Sequence, residues 1–318
     1  MDGKTKVNFL QGIFNILNIP LGWILKNISA LFGGNFAAAV FVFTLLVNLA
    51  MIPLSIKSQK SSVQQIRLKP KLDELKKKYG DDRNKYATET QRLYQEEGVS
   101  MSGGCLPMRI RLPLMMSIYY LICSPLTYLM NVSADVITKG KEQLTALGLK
   151  FSEYNAELQI IDNIESGKFS IPEIADKIGK IDFDFFGINL TESPKFSLNI
   201  FADFKPIWIL PILAFAAAMV SSLISLAISK KTNPDAPNMA GMLLTMPIMS
   251  LIIGFSVPGG VAFYWACSSL ISGVIQAVVQ MTYGPHRLIA RENAKSIIKT
   301  HKSELTSIKN SAERKEGN

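Results

Sequence analysis

Histidine and cysteine are nearly missing from this 318-residue chain, and their scarcity removes whole classes of chemistry. The two histidines, His286 and His301, stand near the C-terminus, away from the apolar segments. The three cysteines, Cys105, Cys123 and Cys267, follow no disulfide or zinc spacing and read as small apolar residues. No metal centre or cofactor is expected. No nucleophile–base pair falls inside an apolar segment, so an enzyme is not expected either. Residues 133–205 hold no arginine and carry eight lysines against twelve acids. A basic start at Lys4 and Lys6 and an apolar stretch over 9–25 look like a signal peptide, but no convincing small-residue cleavage site follows. Gln11, Asn15 and Asn18 interrupt that stretch, and Pro20 is expected to break or kink it. With Phe9, Ile13, Ile16 and Leu17 at helical spacing, it reads as an interfacial amphipathic helix, a sixth span being the alternative.

What is plentiful is apolar sequence, 48% of the chain. It gathers in runs that approach or exceed the roughly 20 residues needed to cross hydrocarbon. The candidates are 36–56, 106–130, 207–229, 239–255 and 261–281, the fourth being short and holding Pro247. The expectation is an all-α polytopic membrane protein with a five-span helical bundle. Its segments are an N-terminal interfacial stretch 1–35, spans 36–56 and 105–132 flanking a cytoplasmic helical hairpin 57–104, and an extracytoplasmic loop 133–205. Then come span 206–229, a short loop 230–238, span 239–255, an external turn 256–260, span 261–283 and a basic tail 284–318.

Charge sets the direction. Residues 55–104 carry eleven Lys/Arg against seven acids, Lys230 and Lys231 follow the third span, and the segment from 284 carries eight Lys/Arg against four acids. Excess Lys/Arg marks the cytoplasmic side, which puts the N-terminus outside and the C-terminus inside. Within 57–104, residues 58–78 are rich in helix formers. Gly80 is expected to stop that helix, and Asp81 or Asp82 to cap a second one reaching Glu97. Such a basic hairpin attracts anionic lipid headgroups or ribosomal RNA.

Three polar residues sit where lipid should not tolerate them: Asn48, Arg109 and Arg111. A charge in a spanning helix costs about 2.5–3.5 kcal/mol on insertion scales and marks a functional site by default. At 1.5 Å per residue, Asn48 and Arg111 both fall roughly 9–12 Å from the cytoplasmic ends of their spans. Two residues on a helix are about 200° apart, so Arg109 and Arg111 cannot face one cavity. Arg109 reads as an interfacial anchor that snorkels to the headgroups, and Arg111 as a cavity-facing charge. Pro107 and Pro113 are candidate kinks in the same span. Trp265 with Tyr264 reads as an interfacial aromatic anchor.

Gly103-Gly104-Cys105-Leu106-Pro107 followed by Leu112-Pro113 resembles the second conserved span of the YidC-type membrane protein insertases (the YidC/Oxa/Alb family). Thr44-Leu45-Leu46-Val47 with Pro53-Leu54 is similar to the first span, and 58–79 to the hairpin after it. Met246-Pro247, Val257-Pro258-Gly259-Gly260 and Tyr264-Trp265 look like the last helical pair. The resemblance implies a hydrophilic groove open to cytoplasm and lipid but closed outside, in a bacterial plasma-membrane protein. It implies nascent membrane proteins as substrates, with the ribosome, the Sec translocon and anionic lipids as candidate partners. Its groove arginine on the first span matches Asn48 here. Arg111 falls where relatives carry an uncharged polar residue, and Trp265 matches a groove-side tryptophan. The expectation is a positive charge relocated from the first span to the second. A secondary transporter of a small solute is the alternative reading.

Overall fold

The computed structural model describes residues 3–100, 106–194, 204–232 and 240–284, with scattered positions between 287 and 306. Helices dominate: α1 (Gly3–Leu31), α2 (Phe36–Ala50), α3 (Ile52–Tyr79), α4 (Arg83–Glu96), α5 (Leu106–Cys123) and the single turn α6 (Pro125–Tyr128). Three short helices follow, α7 (Ala134–Ala146), α8 (Ala156–Glu165) and α9 (Pro172–Ile178), then two-residue strands β1 (Asp184–Phe185) and β2 (Ile188–Asn189). After a 3-10 turn at Pro206–Trp208 come α10 (Ile209–Thr232), α11 (Ala240–Gly254) and α12 (Gly259–Tyr283). Among the described residues, two helices are long and apolar enough to cross a membrane, Pro206–Ala227 and Gly259–Tyr283. A third counts if α2 and α3 are taken as one broken span.

Several boundaries differ from the sequence expectation for local reasons. The first apolar run stops at Ala50, because the ring of Pro53 cannot follow in register and the chain restarts at Ile52. From there α3 continues without a linker to Tyr79. The second run breaks at Ser124, and Pro125 opens α6 at a position where its missing N–H costs nothing. Pro20, by contrast, does not end α1. It lies on the exposed face, where its ring meets no packed neighbour.

The chain divides into two compact units. The first comprises Met1–Ile52, Met108–Ala227 and Asp235–Ile275. Its helices meet at one end, which we term the capped end because 133–194 folds across it. There α2 begins, α5 finishes, α10 begins, α11 finishes and α12 begins, so successive long helices alternate in direction. Gly254 approaches Pro211, Gly259 approaches Leu210, and Gly260 approaches both Ile122 and Phe36. A Cβ at Gly260 would stand 3.1 Å from Ile122 and 3.3 Å from Phe36, which explains glycine where three helices converge.

The cap is a small fold with its own apolar centre. Leu144, Leu158, Ile160, Ile161, Ile174 and Leu190 are fully buried and join the core below through Leu126 and Ile122. Gly140 lets α7 close on Ile160, whose Cδ1 would lie 2.7 Å from an added Cβ. Main-chain bonds tie the cap to the helices. Phe36 N donates to Asp182 O (2.9 Å), Asp182 N to Gly34 O (2.9 Å), Gly259 N to Glu192 O (2.7 Å) and Gly260 N to Leu190 O (2.8 Å). The last two satisfy first-turn N–H groups of α12 that have no partner within the helix. Glu157 adds a side-chain tie: its carboxylate accepts from Thr127 N (3.0 Å) and Thr127 Oγ1 (2.6 Å).

The second unit comprises Pro53–Pro107, Ile228–Pro234 and Gln276–Asn318. The turn at Gly80 ends α3, and the Asp82 side chain caps α4 by accepting from Asn84 N (3.1 Å) and Lys85 N (3.0 Å). Lys71 pairs with Glu97, and Gln65 Nε2 donates to Ser100 O (3.2 Å), so the chain returns alongside α3. Only Val63 and Leu68 of α3 are buried, and α4 buries none. Lys78 and Lys85 flank the Tyr79 ring at 5.2 and 5.1 Å, and Lys60 lies 5.9 Å from the Tyr283 ring.

Candidate functional site

The singled-out polar residues separate by helix face. On α5, positions 114, 115, 118, 121 and 122 carry Leu, Met, Ile, Leu and Ile that pack in the core. Arg111 stands one to three turns before them on the same face, by the 3.6-residue period. Arg109 instead heads the stripe of Leu112 and Met116, which are exposed, as a lipid-facing stripe would be. Both arginines are themselves exposed. Arg111 lies close enough to α12 for its charge to act on the Tyr264 hydroxyl, which also shares a hydrogen bond with Ser268. Among the described residues it has no ion pair.

Asn48 is half-buried near the end of α2. Its Nδ2 donates to Thr44 O (2.8 Å), and buried Thr44 donates from Oγ1 to Val40 O (2.6 Å). Two polar side chains thus follow one turn apart on the face that Val40 buries. The Asn48 amide donor is used within its own helix, leaving its oxygen to accept. Trp265 is half-buried on α12 and packs against the core. Pro107 stands in the first turn of α5, where no intrahelical bond is lost, and its side chain lies outside the described residues. Pro113 is exposed, and α5 passes through it unbroken.

Further polar groups, not singled out from sequence, run through the same helices. Ser221 Oγ on α10 donates to Ser269 O on α12 (2.8 Å), and Ser272 Oγ donates to the same carbonyl (3.4 Å). A Cβ at Gly273 would fall 2.1 Å from Ser221 Oγ, so that glycine is what lets α10 and α12 touch. Ser117 is fully buried on α5, and its Oγ has no hydrogen-bond partner among the described residues. Thr44 and Ser117 thus add buried hydroxyls on α2 and α5, and Ser221 adds one that ties α10 to α12. The serine doublets 221–222 and 268–269 within apolar runs were the available signal. This chemistry suits hydrogen bonding and charge attraction. No group of three or more His, Cys, Asp or Glu that could hold a metal exists among the described residues.

The sequence profile of the family described as 60Kd inner membrane protein matches residues 27–285. Membrane protein insertase YidC 2 of Listeria innocua is 28% identical over 257 residues, covering 80% of this chain and 67% of the relative. Membrane protein insertase YidC of Fusobacterium nucleatum is 25% identical over 272 residues, covering 86% of this chain and 98% of the relative. That of Alkalihalophilus pseudofirmus is 38% identical over 120 residues, covering 35% and 48%.

Proposed function

The chain belongs to the 60Kd inner membrane protein family of YidC-type insertases, and from that premise we propose that it inserts other membrane proteins into the bacterial plasma membrane. In this reading α2, α5, α10, α11 and α12 are five spans, α3 and α4 a cytoplasmic hairpin, and 133–194 an extracytoplasmic cap. The N-terminus is outside and the C-terminus inside. Between the spans lies a hydrophilic groove open to cytoplasm and lipid, with Arg111, Asn48 and Trp265 along it. Substrates are nascent membrane proteins. The ribosome and the Sec translocon are proposed partners, and anionic lipids meet the basic hairpin and tail.

The observation that carries the reading is Arg111. It is an exposed charge on the core-facing side of an apolar helix, within electrostatic reach of the Tyr264 hydroxyl and without an ion pair among the described residues. A charge so placed serves an incoming partner of opposite sign. An acidic flank 4 Å from the guanidinium gains about 4 kcal/mol at an effective dielectric of 20. The Asn48 oxygen and the serines supply hydrogen bonds to replace the flank's water. The substrate's apolar helix then passes into lipid, and the free energy of that transfer drives the reaction. No covalent step is involved. Arg109, heading the exposed stripe, serves as an interfacial anchor.

The test compares substrates differing only in flank charge. Arg111→Ala lowers insertion of acidic-flanked substrates severalfold and spares neutral ones, Arg111→Lys restores much of the loss, and Arg109→Ala affects both equally. Equal insertion of both substrates by Arg111→Ala removes Arg111 from the mechanism.

A further inference from the structure

The β1–β2 turn holds an aromatic ring where neither folding nor turn chemistry asks for one. Phe186 and Gly187 form a two-residue connection, both with positive φ (52° and 80°). Asn or Gly suits the first of these positions, and a bulky side chain rarely adopts that conformation. The conformation is imposed from outside the ring. Gly187 N donates to Asp184 Oδ1 (2.7 Å), Asp184 N to Asp182 Oδ1 (2.9 Å), and Leu190 N to Phe183 O (3.0 Å). Yet the Phe186 side chain contributes little to the core, being 92% exposed.

Its position relative to α12 identifies what it meets. Phe185 lies 4.7 Å from Phe263 and 4.9 Å from Phe186, so the three rings run outward in order. Phe263 is four residues into α12, roughly 6 Å below its start. On the helical wheel Phe263 shares a face with Ala266 and Cys267, which are buried, and two turns further on with Leu270 and Val274, which are exposed along a helix long and apolar enough to span a bilayer. Phe185 therefore covers the packed top of this apolar face, and Phe186 carries the aromatic row outward beyond it. Asp182 also bridges to Asn35, three residues after Phe32, and both Phe32 and Leu31 before it are exposed. The carboxylates nearest the turn, Asp182 and Asp184, are engaged with backbone N–H groups.

We propose that the Phe186 turn is a lipid contact, its ring seated at the boundary between acyl chains and headgroups of the leaflet at the capped end. The cap is thereby moored to the bilayer at its margin. The occupant is the phospholipid acyl region, because the ring is the exposed end of an aromatic row rooted about one turn below the start of a helix long and apolar enough to span.

The test uses the full-length chain with its three cysteines replaced by alanine, Phe186→Cys carrying a nitroxide, in phospholipid nanodiscs. The label at 186 collides more with dissolved oxygen than with a water-soluble nickel chelate. A control label at exposed Glu142→Cys shows the reverse. Phe186→Trp gives a second readout: compared with the parent, a blue-shifted component appears that lipids brominated high on the acyl chain quench. A label at 186 as open to nickel as the one at 142, with no quenching of the tryptophan, overturns the proposal. Shielding seen in native membranes but not in nanodiscs also overturns it, and points to a protein partner.

Discussion

Glu157 ties the cap to α6 through its carboxylate, and its replacement has a calculable effect. Glu157→Ala removes the acceptors of Thr127 N and Thr127 Oγ1 at 3.0 and 2.6 Å. Thr127 is itself exposed, so water takes up the freed donors and the loss is the net worth of a hydrogen bond, about 0.5–1.5 kcal/mol. That free energy corresponds to about 2- to 13-fold more frequent local opening. The assay is hydrogen exchange of the α6 and α8 amides in purified, membrane-reconstituted protein, which reads local opening directly. Amides in α3 and α4 serve as the internal control and do not change. Acidity adds a second signature. Burial holds the Glu157 carboxyl above its ordinary value of 4.5, against the opposing bonds from Thr127 and the charge of Lys141. A carboxyl that binds its proton more tightly in the closed cap stabilises that cap most below 4.5, and this stability is lost as pH rises through the raised value. Protection of α8, corrected for intrinsic exchange, therefore declines with pH over that window in the parent and stays level in Glu157→Gln. Unchanged exchange in Glu157→Ala, or an identical pH profile in Glu157→Gln, refutes the role of this contact.

Gly273→Ala is expected to weaken the α10–α12 contact by about 1–3 kcal/mol, because the new methyl displaces Ser221 Oγ from Ser269 O. Combining it with Ser221→Gly recovers part of the loss, and a double-mutant cycle on denaturant resistance in micelles measures the coupling. Additive effects would show that the two positions do not meet. Gly260→Val should disturb the capped end more than Gly260→Ala, since both Ile122 and Phe36 stand within 3.3 Å of the first added carbon. Protease cleavage within 133–194 reports it, and equal resistance of both variants would contradict the packing described.

Much of this architecture was legible in residue order. The helix end at Gly80 and the Asp82 cap follow from local chemistry alone, whereas α3 starts at Ile52, before the expected position near Ser58. Length and apolarity sufficed for α10 and α12, whereas α11, at 15 residues, reaches only about 22 Å and depends on neighbours such as Pro211. The rotation between Arg109 and Arg111 follows from a two-residue spacing on a helix. The cap was less legible. Its core draws a few residues from each of three short helices, none long enough to sustain a period over several turns. Glu157 looked like one of twelve acids in the loop, because nothing local distinguishes a carboxylate whose partner is 30 positions away. The Ser221 contact with α12 was missed for a related reason: a serine in an apolar helix satisfies itself on nearby backbone as readily as on a neighbour.

The join between 190–192 and the start of α12 is made from main-chain atoms, and this has an evolutionary consequence. The exposed side chain at Glu192 can drift without loosening it, since it does not supply the bonding group. The constraint falls on the two glycines that receive it, whose want of a side chain lets the strand come near. A lineage that gains bulk there must rebuild the whole junction, whereas one that rewrites the segment above it keeps the clasp intact.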